Sequence, residues 1–241
     1  MVFLSKQPVR MVISLKRKAI QSLIEWKNSL DRKPLVLKGA RQVGKTWLMK
    51  EFGKTHYKNY VYFNFDEEDA LKSIFESNKN PQRIIDLLSF IADEKIVPNE
   101  TLIIFDEIQE CPNALNSLKY FKEKANTYHV IAAGSLLGTL LSQPKSYPVG
   151  MVNILNIYPL TFDEFLEATE PTLSKYYSSI IKEQNIEEIF HNKLLDAYNY
   201  YLIVGGMPEC VYSWITYKDP KKVSKIQNEL ITIYENDFSK H

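Results

Sequence analysis

The segment Gly39-Ala40-Arg41-Gln42-Val43-Gly44-Lys45-Thr46 constrains the fold more than any other part of the chain. It matches the pattern G-x-x-x-x-G-K-[ST] in the setting that pattern requires. Leu35-Val36-Leu37 before it reads as a short apolar strand, and Lys45 to Phe52 after it as a helix closed by Gly53. With glycine and lysine each at very roughly 7% of residues, the four fixed positions coincide by chance in about one chain of this length per hundred. The flanking strand and helix make coincidence rarer still. Glycines let a backbone curl until its amides point inward at phosphate, and a helix N-terminus adds a partial positive charge. Lys45 is then placed to reach the β- and γ-phosphates of a nucleotide, and the Thr46 hydroxyl to ligate magnesium. The expected nucleotide contacts are therefore Gly39, Ala40, Arg41, Gln42, Val43, Gly44, Lys45 and Thr46.

A second element is Leu102-Ile103-Ile104-Phe105-Asp106-Glu107, a buried-type strand that delivers two carboxylates at its C-terminal end. Parallel sheets bind ligands there. An acidic pair after a strand often just begins a solvated loop, but behind a phosphate loop it fits phosphoryl chemistry. Asp106 is expected to hold magnesium or its water shell, and Glu107 to activate a water for attack on the γ-phosphate. Gln109 has two readings, an exposed loop glutamine or a group within reach of the attacking water. No N-K-x-D or T-K-x-D guanine-reading sequence follows, so the expected ligands are ATP and Mg2+.

The rest of the chain alternates strands and helices up to about residue 160. A leading helix is expected over about 14–30, where Leu15, Ile20, Leu23, Ile24 and Trp26 recur at roughly helical spacing, with Pro34 closing it. Further strands are expected at Val61–Phe65, Leu102–Phe105, His129–Ala133 and Val152–Ile157. A helix opens at Pro81 with the stripe Ile84, Ile85, Leu88 and Ile91, and another runs from Pro112 to about Lys124. This alternation predicts an α/β fold with a three-layer parallel sheet. Past residue 160, Thr161 and Glu164 form a capping box, Leu160 can staple onto Phe165, and everything later reads as helical. The expected domains are an ATP-binding core over 1–170 and a helical appendage over 171–241.

Composition narrows the class without naming a partner. Thirty basic and 29 acidic residues give a formal net charge of +1, so the molecule lacks the strong basic field of a dedicated nucleic-acid binder. Lys6, Arg10, Lys16, Arg17, Lys18, Lys27, Arg32, Lys33 and Lys38 form a local basic arm, opposed only by Glu25 and Asp31. That arm is a candidate DNA contact, although a solvated helix face explains the charges equally well. Cys111 and Cys210 have no paired spacing, which argues against a disulfide framework or a zinc site and for a reducing, cytoplasmic setting. No stretch approaches the ~20 apolar residues of a membrane span. The four histidines are scattered and read as structural or solvated.

The strand at Val61–Phe65, between the phosphate loop and the acidic pair, resembles the arrangement in the additional-strand, catalytic-glutamate division of P-loop proteins, which includes AAA-type ATPases. The chain also resembles a family of bacterial and archaeal AAA-type ATPases of poorly defined role. The residues that carry this are Lys33-Pro34-Leu35, the phosphate loop, Phe105-Asp106-Glu107-Ile108-Gln109, Ala133-Gly134-Ser135-Leu136-Leu137, Tyr158 through Leu166, and Gly205-Gly206-Met207-Pro208-Glu209. By this resemblance Ser135 occupies the place of a polar sensor near the γ-phosphate; its residue type alone also suits an N-cap for 136–141. Ser135 fails G-x-S-x-G and so is no hydrolase nucleophile. The resemblance further implies a longer protein whose C-terminal domain is nuclease-like. It implies an ATPase module that moves its helical or C-terminal part; a nucleotide-controlled binding switch is the rival reading. Relatives take an arginine finger from later regions, whereas all five arginines here, Arg10, Arg17, Arg32, Arg41 and Arg83, precede the acidic strand. Turnover by this chain alone is therefore expected to be slow, with a homo-oligomer or the C-terminal domain as the partner that supplies positive charge.

Overall fold

The computed structural model describes residues 15–67, 69–134, 150–180 and 185–238. Contacts divide the chain into two compact units, Arg17–Pro159 and Leu160–His241 together with Met1–Lys16. The first unit is built on a five-stranded parallel sheet in the order β2-β3-β4-β1-β5. Its strands are β1 (Leu35–Lys38), β2 (Asn59–Asn64), β3 (Thr101–Asp106), β4 (His129–Gly134) and β5 (Asn153–Asn156). Its helices are α1 (Ala19–Asn28), α2 (Lys45–His56), α3 (Asp69–Ser77), α4 (Pro81–Ala92) and α5 (Pro112–Lys124).

Position in the sheet explains the strand sequences. β3 and β4 lie inside and are buried at every residue, so they read as unbroken apolar runs, whereas the edge strands β2 and β5 alternate buried or half-buried with more exposed positions. The strand that intervenes in space between the phosphate-loop strand β1 and the acidic strand β3 is β4. β2, which comes between β1 and β3 in the chain, lies at the sheet edge beside β3, because successive parallel strands need not be neighbours.

Two local expectations change. The helix after the phosphate loop does not stop at Gly53 but runs on to His56. Gly53 is inside the last turns because a Cβ there would come within 2.8 Å of the Tyr60 side chain, so glycine serves close packing of α2 on β2. Helix α3 was absent from the sequence-based expectation. It buries Leu71, Ile74 and Phe75, with Phe75 meeting Phe65 and Phe105 edge-on at 5.6 and 5.8 Å. Burying each such ring stabilises the fold by about 1.5–3 kcal/mol.

The second unit contains α6 (Phe162–Thr169), α7 (Pro171–Ser179), α8 (Glu188–Val204), α9 (Pro208–Tyr217) and α10 (Pro220–Phe238). The capping box forms as its residues dictate, with Thr161 N–H donating to Glu164 Oε2 at 3.0 Å and Glu164 N–H to Thr161 Oγ1 at 3.4 Å. The division falls before Leu160, ahead of the boundary near Glu170 expected from the sequence. Leu160 and Phe165 share an apolar cluster with Val204, Cys210, Val211 and Trp214, which ties α6 to the later helices.

His129, at the start of β4, is 4% exposed. Its Nδ1 lies 2.7 Å from the Tyr57 hydroxyl and its Nε2 3.3 Å from Asn99 Oδ1, which suits a neutral ring that accepts at Nδ1 and donates at Nε2. Burial, then the nearby Arg32 and Lys27 charges, push its pKa down to about 4. The unfolded chain therefore takes up a proton near pH 6.5 that the folded chain refuses, so this contribution is whole above about pH 6.5 and is lost as pH falls toward 4. We expect roughly 2–3 kcal/mol of pH-dependent loss from this residue between about pH 7.5 and 4.5. Denaturant titrations of the parent and His129→Gln check this: the variant should show a shallower pH slope. A His129 titration midpoint near 6.5 by NMR would overturn it.

Candidate active site

The phosphate loop joins β1 to α2. Gln42 (φ 63°) and Gly44 (φ 91°) both adopt left-handed backbone, which curls the loop back before the helix starts. Gly39 is required for a different reason: a Cβ there would lie 2.3 Å from the Ile157 carbonyl oxygen, just past β5. Val43 is buried and anchors the loop from below. Its carbonyl accepts from Arg17 at 2.8 Å, and the same guanidinium donates to the Tyr158 carbonyl at 2.5 Å. Arg17 is therefore a buried clamp on the loop, not the solvated or DNA-facing charge of the basic arm.

Lys45 begins α2 and is 7% exposed, more buried than an open phosphate loop suggests. Its Nζ donates to the carbonyls of Gly39 at 3.0 Å and Ala40 at 2.8 Å. Burial lowers its pKa, opposed by the attraction of Glu107 and Asp106, while Arg41 lowers it further. The ammonium is thus held by carbonyls of its own loop and attracted by the carboxylates at and just past the end of β3.

Asp106 ends β3 and is nearly fully buried. Its Oδ2 accepts from the Thr46 hydroxyl at 2.6 Å and from the Tyr62 hydroxyl at 3.0 Å, and its Oδ1 from the Glu107 N–H at 3.1 Å. Glu107 itself holds left-handed backbone (φ 47°, ψ 44°), a conformation that costs a non-glycine residue roughly 1–2 kcal/mol. Such strain concentrates at functional sites. The 3-10 turn Ile108–Glu110 follows at once, and within it Gln109 Nε2 donates to Glu107 Oε2 at 2.5 Å. Gln109 is half-buried instead of exposed.

Lys45, Thr46, Asp106 and Glu107 are thus brought together from two distant segments. Ser135 lies outside the described residues. The sequence reading missed Tyr62, although period-two alternation puts it on the same strand face as Asn64, and Asn64 is in register with Asp106. That signal becomes readable only once β2 is known to neighbour β3. Burial and the Asp106 carboxylate both push the Tyr62 pKa upward, keeping the hydroxyl a donor, while Lys50 Nζ lies 3.4 Å from its ring centroid. The donor set suits a small hard cation: a hydroxyl and a carboxylate 2.6 Å apart supply oxygen ligands, and magnesium commonly takes only one or two from protein.

A parallel sheet with a glycine loop at one strand end, a helix N-terminus above it and an acidic pair on a nearby strand defines a P-loop nucleotide-binding fold. Residues 31–166 match a family model described as an AAA domain, and the chain belongs to that family. It is 27% identical over 214 residues to an uncharacterized protein of Methanocaldococcus jannaschii, a match covering 88% of this chain. The match covers 43% of the relative, so this chain spans less than half of that protein's length. A Walker-type ATPase of Pyrococcus abyssi superposes with a TM-score of 0.60 at 15% identity, over 94% of this chain and 76% of that one, a likeness of fold. Among the described residues no helix is long and apolar enough to cross a membrane.

Proposed function

We propose that this chain is an ATP- and magnesium-dependent ATPase module whose hydrolysis step drives movement of its helical unit or of a further C-terminal domain. The observation that carries this reading is the 2.6 Å bond from Thr46 to Asp106. It joins the phosphate loop to the acidic strand, which supports a reading in which a phosphate chain in the loop lies beside Glu107. Magnesium, when bound, neutralises phosphate charge, and Thr46 and Asp106 are the residues that would hold it. Lys45 exchanges its contacts with the Gly39 and Ala40 carbonyls for phosphate oxygens. Glu107, held in place by its backbone and by Gln109, takes a proton from the attacking water. Calorimetric titration with ATP and GTP, with and without magnesium, followed by phosphate-release assays, tests the proposal. ATP binding strengthened by magnesium and accompanied by phosphate release is expected; absence of ATP binding would refute it.

One observation favours the rival reading, a nucleotide-controlled switch with negligible turnover. Arg17, Arg32 and Arg83 all donate to backbone carbonyls within the fold, so these three guanidinium groups are engaged in holding the chain together. Apart from Arg41 in the loop itself and Arg10, which lies outside the described residues, an activating arginine would then come from a second copy or a C-terminal domain. The basic arm gives a DNA-binding reading little support, since Arg17 is buried, Lys16 pairs with Glu167 at 2.6 Å, and Lys33 donates to the Gly150 carbonyl at 2.6 Å.

A further inference from the structure

Gln109 is placed by backbone, not by a loose loop. Ile108 is fully buried and anchors the 3-10 turn, which is closed by Glu110 N–H on the Glu107 carbonyl and Cys111 N–H on the Ile108 carbonyl, both at 3.0 Å. The amide orientation follows from chemistry. A carboxylate only accepts hydrogen bonds, so the nitrogen must face Glu107 Oε2, 2.5 Å away, and the oxygen turns elsewhere. That oxygen, Oε1, is buried and has no hydrogen-bond donor among the described residues. A buried acceptor without a donor is costly to keep, and its position beside Glu107 offers a reason for keeping it.

We propose that Gln109 is the second acceptor for the attacking water: its amide N–H fixes the Glu107 carboxylate, and its Oε1 receives the water proton that Glu107 does not remove. The inference rests on the reading of Glu107 as the base. Water carries two protons; with one held by Glu107 and the other by Gln109, its lone pair is aimed away from both, toward phosphorus. The water oxygen then bonds to the γ-phosphorus while the bond to the bridging oxygen breaks and its electron pair leaves on ADP. Glu107 takes one proton and releases it to solvent or phosphate. The other stays on the new P–OH group, where Gln109 Oε1 still accepts it.

The test uses the whole chain with magnesium, a non-hydrolysable ATP analogue, and ADP–aluminium fluoride as a mimic of the transferring phosphate. For Gln109→Ala we expect kcat to fall roughly 10- to 100-fold, with affinity for the ATP analogue within about threefold of the parent. Affinity for ADP–aluminium fluoride should fall by a factor matching kcat, which a role in packing alone would not produce. Parent-like kcat and ADP–aluminium fluoride affinity in Gln109→Ala would overturn the inference, as would equal losses for both nucleotide mimics. If turnover is too slow to measure, the ADP–aluminium fluoride affinities decide. Glu107→Gln measured alongside separates the two claims. Parent-like turnover there removes the base and this inference together, whereas loss there with none in Gln109→Ala removes this inference alone.

Discussion

Glu107→Gln should leave magnesium–ATP binding intact and lower turnover by roughly two or more orders of magnitude, the cost of losing a catalytic base. The substitution keeps the side-chain volume and an oxygen for the amide of Gln109, so the turn that presents it should persist. It removes only the ability to take a proton. Binding depends on the loop residues and on Thr46 and Asp106, which the substitution leaves in place. Calorimetry with ATP and a phosphate-release assay on the same preparation would separate the two quantities. Hydrolysis at the parent rate would make Glu107 a loop carboxylate held in a left-handed conformation for structural reasons alone.

Lys45→Ala should act on the other half of the site, weakening ATP binding by roughly 10- to 100-fold or more while the fold survives. The ammonium is nearly buried and bonded to two loop carbonyls, so its charge already stands where phosphate would enter. Removing it takes away the phosphate partner and leaves the Gly39 and Ala40 carbonyls to water. It also removes a desolvated cation, which offsets part of the loss to the fold. Affinity by titration calorimetry, with the melting midpoint as control, is the measurement. ATP affinity within about twofold of the parent would contradict the phosphate-site assignment.

The phosphate loop was legible because its chemistry is written in eight consecutive residues, and the acidic pair because it ends an apolar run. Both rest on short-range patterns. The errors were of another kind. Gly53 reads as a helix stop until Tyr60 is seen against it, and Arg17 reads as one of a run of surface cations until Val43 and Tyr158 are seen to bind it. Tyr62 carries no motif at all, and the two readings of Gln109 stay open because nothing nearby in the chain shows that the 3-10 turn buries its oxygen.

Sequence by itself determined the strand–loop–helix unit, the capping box at Thr161 and Glu164, the succession of strands and helices, and the residue types available for phosphate and metal chemistry. Those depend on contacts a few residues apart, where backbone geometry permits few outcomes. Tertiary structure decided the rest: that β4 lies between β1 and β3, that Thr46 meets Asp106 across 60 residues, that Tyr62 reaches the same carboxylate across 44, and that Arg17 spans 141 to hold the loop. Such contacts follow from which strands become neighbours when the sheet buries its apolar faces, a choice made by the whole core at once and not by any local pattern.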